Sequence, residues 1–164
     1  VSTSPTIIGI DPGLDGALAW QIGACWFFEA VPVLGSKKSK RAYDLSAILG
    51  RFQRSPCPVS IYIEGFASFG LGTSAVHSLV RCITAFECAA LVSGTPIVVV
   101  PSQTWQKVML ANIEPKELKP KAKAKIACER LWGARTAKWS EGMRDAALIA
   151  EYGRRDARTG SVVQ

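Results

Sequence analysis

The chain has one histidine, His77, and five cysteines, no two of which form a CxxC pair. A zinc site built from nitrogen and sulfur ligands is therefore not expected. The cysteine number is odd, and Cys25, Cys57, Cys82, Cys88 and Cys128 have mostly apolar neighbours. They read as reduced core fillers in a reducing compartment. Residues Val1 to Thr6 are polar and lack the basic-then-apolar layout of a secretory signal. The start on Val leaves room for a trimmed upstream segment. No stretch approaches the ~18 uncharged apolar residues of a membrane span, because Arg81 and Glu87 interrupt the longest apolar region. No membrane partner is expected. Acids are scarce: 13 Asp and Glu against 20 Lys and Arg give a net charge of +7. That surplus suits a polyanion such as nucleic acid, although a merely basic soluble protein has the same balance.

The 164 residues, 48% apolar and 20% charged, exclude intrinsic disorder and fit one domain over residues 1–164. Thr6 to Ile10 is a β-branched apolar run that stops at Asp11 before Pro12-Gly13. Gly16 to Trp20 and Cys25 to Val31 read as the next strands. Asp44 can cap a helix through Leu45, Ile48, Leu49 and Phe52. Val59 to Ile63 forms a fourth strand, stopping at Glu64. A long helix follows from Ser74, ended by Gly94 and Pro96. Ile97 to Val100 is unbroken apolar, as in a strand covered on both faces. A short helix then carries Trp105 and Lys107, a basic helix follows, and a last helix runs from about Glu141 to Tyr152. This order predicts an α/β fold, a mixed five-stranded sheet with helices on both faces.

Two apolar strands each end on an acid before a glycine turn, at Asp11 and Glu64. Each alone is equally a turn or capping residue. On the last helix, Asp145 shares its face with Glu141, Leu148, Ile149 and Tyr152. An acid in an apolar stripe is costly unless a cation neutralises it, and a divalent ion can serve several carboxylates together. Asp11, Glu64, Glu141 and Asp145 are thus the candidate catalytic and metal-ligating set. All-oxygen ligands select Mg²⁺, with Mn²⁺ able to substitute. Two such ions roughly 3.5–4 Å apart are a common device for phosphodiester hydrolysis. The lack of a nucleophile–histidine–acid set agrees, since metal-activated water needs no side-chain nucleophile.

The runs IIGIDPGLDGALAW, IEGF, VPSQTWQKVML and SEGMRDAALIA, in this order and spacing, resemble RuvC-type Holliday-junction resolvases from Thr6 to about Gly153. Within that group the chain looks most like the chloroplast resolvases known from the monokaryotic-chloroplast phenotype, and their bacteriophage and bacterial relatives. The resemblance implies an RNase H-like (RuvC-type) fold. It implies a homodimeric, Mg²⁺-dependent endonuclease that cuts four-way DNA junctions symmetrically in DNA recombination and repair and nucleoid segregation. The implied compartment is the chloroplast, at the stroma or nucleoid, or else a bacterial or phage-infected cytoplasm. Asp11, Glu64 and Asp145 match the family's acids. The remaining metal position falls three or four residues before the last acid; Gly142 cannot ligate, so Glu141 takes the role.

Candidate DNA-binding residues are Lys37, Lys38, Lys40 and Arg41 in one basic loop and Lys119, Lys121, Lys123 and Lys125 in another segment, with Lys107 a single addition. Phe66 and Phe69 follow Glu64 in a glycine-rich loop. RuvC relatives carry wedge aromatics in this region, and both are otherwise core residues. Trp105, Trp132 and Trp139 read as packing residues. The long helix reads as a dimer element or as a central core helix. Alternatives are a RuvC-like nuclease acting on structured RNA, a non-catalytic nucleic-acid-binding module on the same scaffold, and an ATP-binding protein of the sugar-kinase and actin class. The last needs two such domains, and this length supplies one.

Overall fold

The computed structural model describes residues 6–36, 41–53, 59–65 and 72–159. In chain order they form β1 (Thr6–Asp11), β2 (Ala17–Ile22), β3 (Cys25–Ala30), β4 (Val33–Leu34), β5 (Ala42–Tyr43), α1 (Leu45–Gln53), β6 (Val59–Gly65), α2 (Thr73–Ser93), β7 (Ile97–Pro101), α3 (Ser102–Met109), α4 (Pro120–Trp132), a 3₁₀ turn (Gly133–Lys138) and α5 (Glu141–Thr159). The main sheet has the order β3-β2-β1-β6-β7. β1 pairs antiparallel with β2 and parallel with β6, and β6 pairs parallel with β7. The chain thus adopts the expected mixed five-stranded α/β architecture.

Alternation along the central strands separates two cores. Ile8 and Ile10 of β1, with Ile61 and Ile63 of β6, pack beneath α1 and α2 against Ile48, Phe52, Cys82 and Phe86. Each buried aliphatic side chain of this kind contributes about 1.5–3 kcal/mol. The opposite face buries Tyr62 with Trp105, Met109, Cys128, Leu148 and Ile149 beneath α3, α4 and α5. A third cluster joins Ala17 and Ala19 to Ala146 and Ala147, flanked by Trp26, Phe28, Trp132 and Trp139. Phe28 and Trp139 meet edge to face at 4.7 Å, and Trp26 and Trp132 at 4.8 Å. Trp132 and Trp139 are packing residues, as expected.

Several expectations require correction. β7 is the sheet's edge, with Val98 40% and Val99 41% exposed, so its apolar run does not report cover on both faces. α2 is long and apolar enough, by length and composition, to cross a membrane despite Arg81 and Glu87. Its Cys82, Ile83, Ala85, Phe86, Ala89 and Ala90 are buried. Cys82 and Cys128 are core fillers, whereas Cys25 and Cys88 are exposed; all four are unpaired. α5 continues seven residues past Tyr152. The apolar stripe weakens there, but buried Glu151 accepts hydrogen bonds from Arg154 and Arg155, three and four residues on. The short β4–β5 ladder has no sequence signature; it places the Tyr43 hydroxyl 3.0 Å from the Ser78 carbonyl of α2. Asp44 caps α1 as expected, accepting the Ala47 N–H at 2.9 Å.

Gly9 sets the spacing between β1 and α5. A Cβ built there would lie 2.1 Å from the Ala146 carbonyl oxygen and 2.3 Å from the Ala150 nitrogen. Both obstacles are backbone, so a side chain can be admitted only by moving the helix. Gly9→Ala is expected to destabilise the protein by about 1–3 kcal/mol or more, read from its urea unfolding midpoint. A wild-type midpoint would show that the two backbones are not in close contact.

Candidate functional site

The alternation that builds the cores also aims the acids. Ile8 and Ile10 face α1 and α2, so Ile7, Gly9 and Asp11 face α5. In β6, Ile61 and Ile63 face α1 and α2, so Tyr62 and Glu64 face the other way. The parallel register pairs Ile10 with Ile63, which makes Asp11 and Glu64 neighbours at the strand ends. α5 supplies Asp145 one turn before Leu148 and Ile149, both fully buried. The first turn of α5 also meets Asp11 directly. A Cβ at Gly142 would lie 2.9 Å from Asp11 Oδ2, so the residue that cannot ligate is the one that leaves room for the carboxylate.

The electrostatics record this convergence. Asp11 is pushed up to about 8 by burial, then by the negative charges of Asp145 and Glu64, with Lys121 opposing. Asp145 is pushed up to about 7 by burial, then by Glu64 and Glu141, with Lys121 and Arg144 opposing. The structure thus brings Asp11, Glu64 and Asp145 into one electrostatic group. Glu141 lies at its rim: its side chain is 60% exposed and ion-paired to Lys121 at 2.5 Å. Lys121, Ala124, Glu141, Arg144 and Asp145 line a small cleft there. Among the described residues, no three His, Cys, Asp or Glu side chains are drawn together as tightly as a finished metal cage. The donor chemistry nonetheless fits a hard divalent cation. The set is carboxylate oxygen, and its mutual repulsion is of the kind a shared cation reverses.

The basic candidates separate. Lys119 precedes α4, and Lys121 and Lys125 lie four residues apart on one exposed face of it. Lys123 is turned aside and donates to the Lys116 carbonyl at 2.8 Å. Lys107 is exposed on α3, two residues from Trp105 and so on a different face. Arg41 is engaged within the protein. Its guanidinium donates to both carboxylate oxygens of Asp15, at 2.8 and 3.2 Å, and to the Leu14 carbonyl at 3.2 Å. It braces the turn that follows Asp11. Lys37, Lys38, Lys40, Phe66 and Phe69 lie outside the described residues.

One contact was not foreseen. Trp105, expected only to pack, is fully buried and donates its indole N–H to Glu64 Oε1 at 3.0 Å. The signal was available in principle: a buried indole N–H needs an acceptor, and Trp105 lies in the first turn after a strand that pairs with β6.

No protein-family model matches the chain, and no curated protein matches it in sequence. Solved structures do match. The chain is similar to T. thermophilus RuvC in complex with a Holliday junction substrate, with a TM-score of 0.67 and 16% sequence identity over 96% of this chain and 98% of that one. It is likewise similar to a second Thermus thermophilus RuvC structure, with a TM-score of 0.63 and 16% identity over 95% of this chain and 97% of that one. The fold of this chain is RuvC-like, of the RNase H-like class, along nearly its whole length.

Proposed function

We propose that the protein is a divalent-metal-dependent endonuclease that resolves four-way DNA junctions by symmetric phosphodiester hydrolysis. The observation that carries this reading is the meeting of Asp11, Glu64 and Asp145 on one sheet face, with Asp11 and Asp145 held far above the usual carboxylate range. Perturbed acids in a shared site are a recurrent mark of function. The likeness to a RuvC solved with a Holliday junction supports the choice of substrate.

Asp11, Glu64 and Asp145 would hold the cation, with Glu141 the fourth candidate. When bound, the cation supplies a polarised phosphodiester and a water acidic enough to attack at neutral pH. The protein's own part is to hold the carboxylates on rigid elements, and to offer the exposed Lys119 and Lys125 to phosphates, Lys121 being paired with Glu141. Val80, Leu91 and Val92 are exposed on α2, with Thr84, Glu87 and Cys88 exposed between them, and a two-fold incision calls for a homodimer. The motif likeness to the chloroplast resolvases supports action in DNA recombination and repair and in nucleoid segregation, in the stroma or nucleoid.

The test is incision of a synthetic four-way junction with each arm labelled in turn. Symmetric cuts in Mg²⁺ are expected, with linear duplex and structured RNA left intact. Asp11→Asn is expected to lose cutting while keeping junction binding in Ca²⁺, since it removes a candidate ligand and no phosphate-gripping cation. Full cutting by that variant would refute the assignment of the site.

A second outcome concerns stability. Asp11 and Asp145 bind protons more tightly in the folded state than in the unfolded state, where a carboxyl titrates near 3.8. Their protonated forms therefore favour folding at low pH, and that contribution is lost as pH rises through about 7 and 8. Without divalent cations, the melting temperature relative to Asp11→Asn should fall between about pH 5 and about pH 8. Adding Mg²⁺ should restore it at the upper pH and do little at the lower one. A melting temperature indifferent to both variables would contradict the account.

A further inference from the structure

The three central acids are not held alike. Asp11 and Asp145 have short side chains fixed by a strand end and a helix. Glu64 has one more rotatable bond and more rotamer freedom to lose. Among the described residues it also receives a dedicated donor, the Trp105 indole N–H at 3.0 Å. Trp105 is 1% exposed. The helix start and the strand that leads into it are both held to the Glu64 strand. Glu64 and Gly65 are paired in register with Val100 and Pro101, and the Ser102 hydroxyl donates to the Gly65 carbonyl at 2.9 Å. Met109, Leu110 and Leu148 belong to the same buried cluster as the ring. The donor therefore comes from a packed element and not from a mobile loop.

We propose that Trp105 is a positioning residue for the cation site, its indole N–H fixing Oε1 of Glu64 and leaving Oε2 as the oxygen available to the metal. This rests on the reading of Asp11, Glu64 and Asp145 as that site. The chemistry of the donor matters. An indole N–H donates one hydrogen bond and carries no charge. It orients the carboxylate without neutralising it, whereas a lysine or arginine in its place would compete with the cation for the same negative charge. Partners that orient a ligating carboxylate typically change metal affinity when removed.

The test compares Trp105→Phe, which keeps an aromatic ring and loses the donor, with Met109→Leu, which disturbs the same buried cluster and leaves the donor. Ca²⁺ alone is titrated into each protein by calorimetry. Trp105→Phe is expected to weaken Ca²⁺ binding by about 10- to 100-fold, and Met109→Leu to leave it within about 2-fold. Junction binding without divalent ions should be the same for all three proteins. In ¹⁵N-labelled protein, the indole resonance absent from Trp105→Phe is expected to shift on Glu64→Gln substitution and on Ca²⁺ addition. Wild-type Ca²⁺ affinity in Trp105→Phe, equal losses in both variants, or an indole resonance unmoved by Glu64→Gln would overturn the proposal. A wild-type protein that binds no Ca²⁺ would overturn the cation-site reading and this proposal together. One that binds Ca²⁺ but leaves four-way junctions uncut would overturn the substrate reading alone.

Discussion

Burial of carboxylates beside one another at one end of a sheet, with the repulsion that adds to it, is the constraint on which the site depends. Asp11 and Asp145 would each sit more comfortably apart, yet the fold presses them toward each other and toward Glu64. The protein's own cations offset this only in part. Lys121 is exposed and already committed to Glu141, and Arg144 acts on Asp145 alone of the two raised aspartates. Without a cation the two aspartates relieve that cost by holding protons, and a divalent cation that displaces those protons lets the carboxylates carry their charge together.

The scaffold sustains that arrangement through close backbone approach. Gly9 brings β1 against α5, and Gly142 leaves space beside the Asp11 carboxylate. The buried residues Leu148 and Ile149 then fix the rotation of α5 and with it the direction of Asp145. On the other side, the Arg41–Asp15 pair braces the turn leaving Asp11. The acids are thus placed by elements whose positions are set by packing. This is what a centre with little tolerance for displacement requires.

Much of this was legible in the residues: two apolar strands that each stop on an acid mark Asp11 and Glu64, and the wheel of α5 puts Asp145 with Leu148 and Ile149. That Asp11 and Glu64 share a face follows from the β1–β6 register and the two cores, because both strands are apolar on both faces. What pattern does not encode is order across a sheet. The apolar run of β7 looks the same in a central strand as at an edge, and only the topology distinguishes them. Nor does composition say which basic residue is already engaged. Arg41 and Lys123 read as phosphate-binding candidates until their partners, Asp15 and the Lys116 carbonyl, are located. The role of Gly9 is a distance between backbones that are 137 residues apart in the chain at Ala146, and no local signal carries it. Trp105 is the intermediate case: its burial follows from its type, while its acceptor follows only from the β6–β7 register.

The central claim is that Asp11, Glu64 and Asp145 together form a divalent-cation site. Its most direct measurement is anomalous diffraction from a crystal soaked in Mn²⁺. An anomalous peak bounded by these three carboxylates, and lost in Asp11→Asn, is expected. Peaks confined to other parts of the surface, with the three acids still apart, would contradict it.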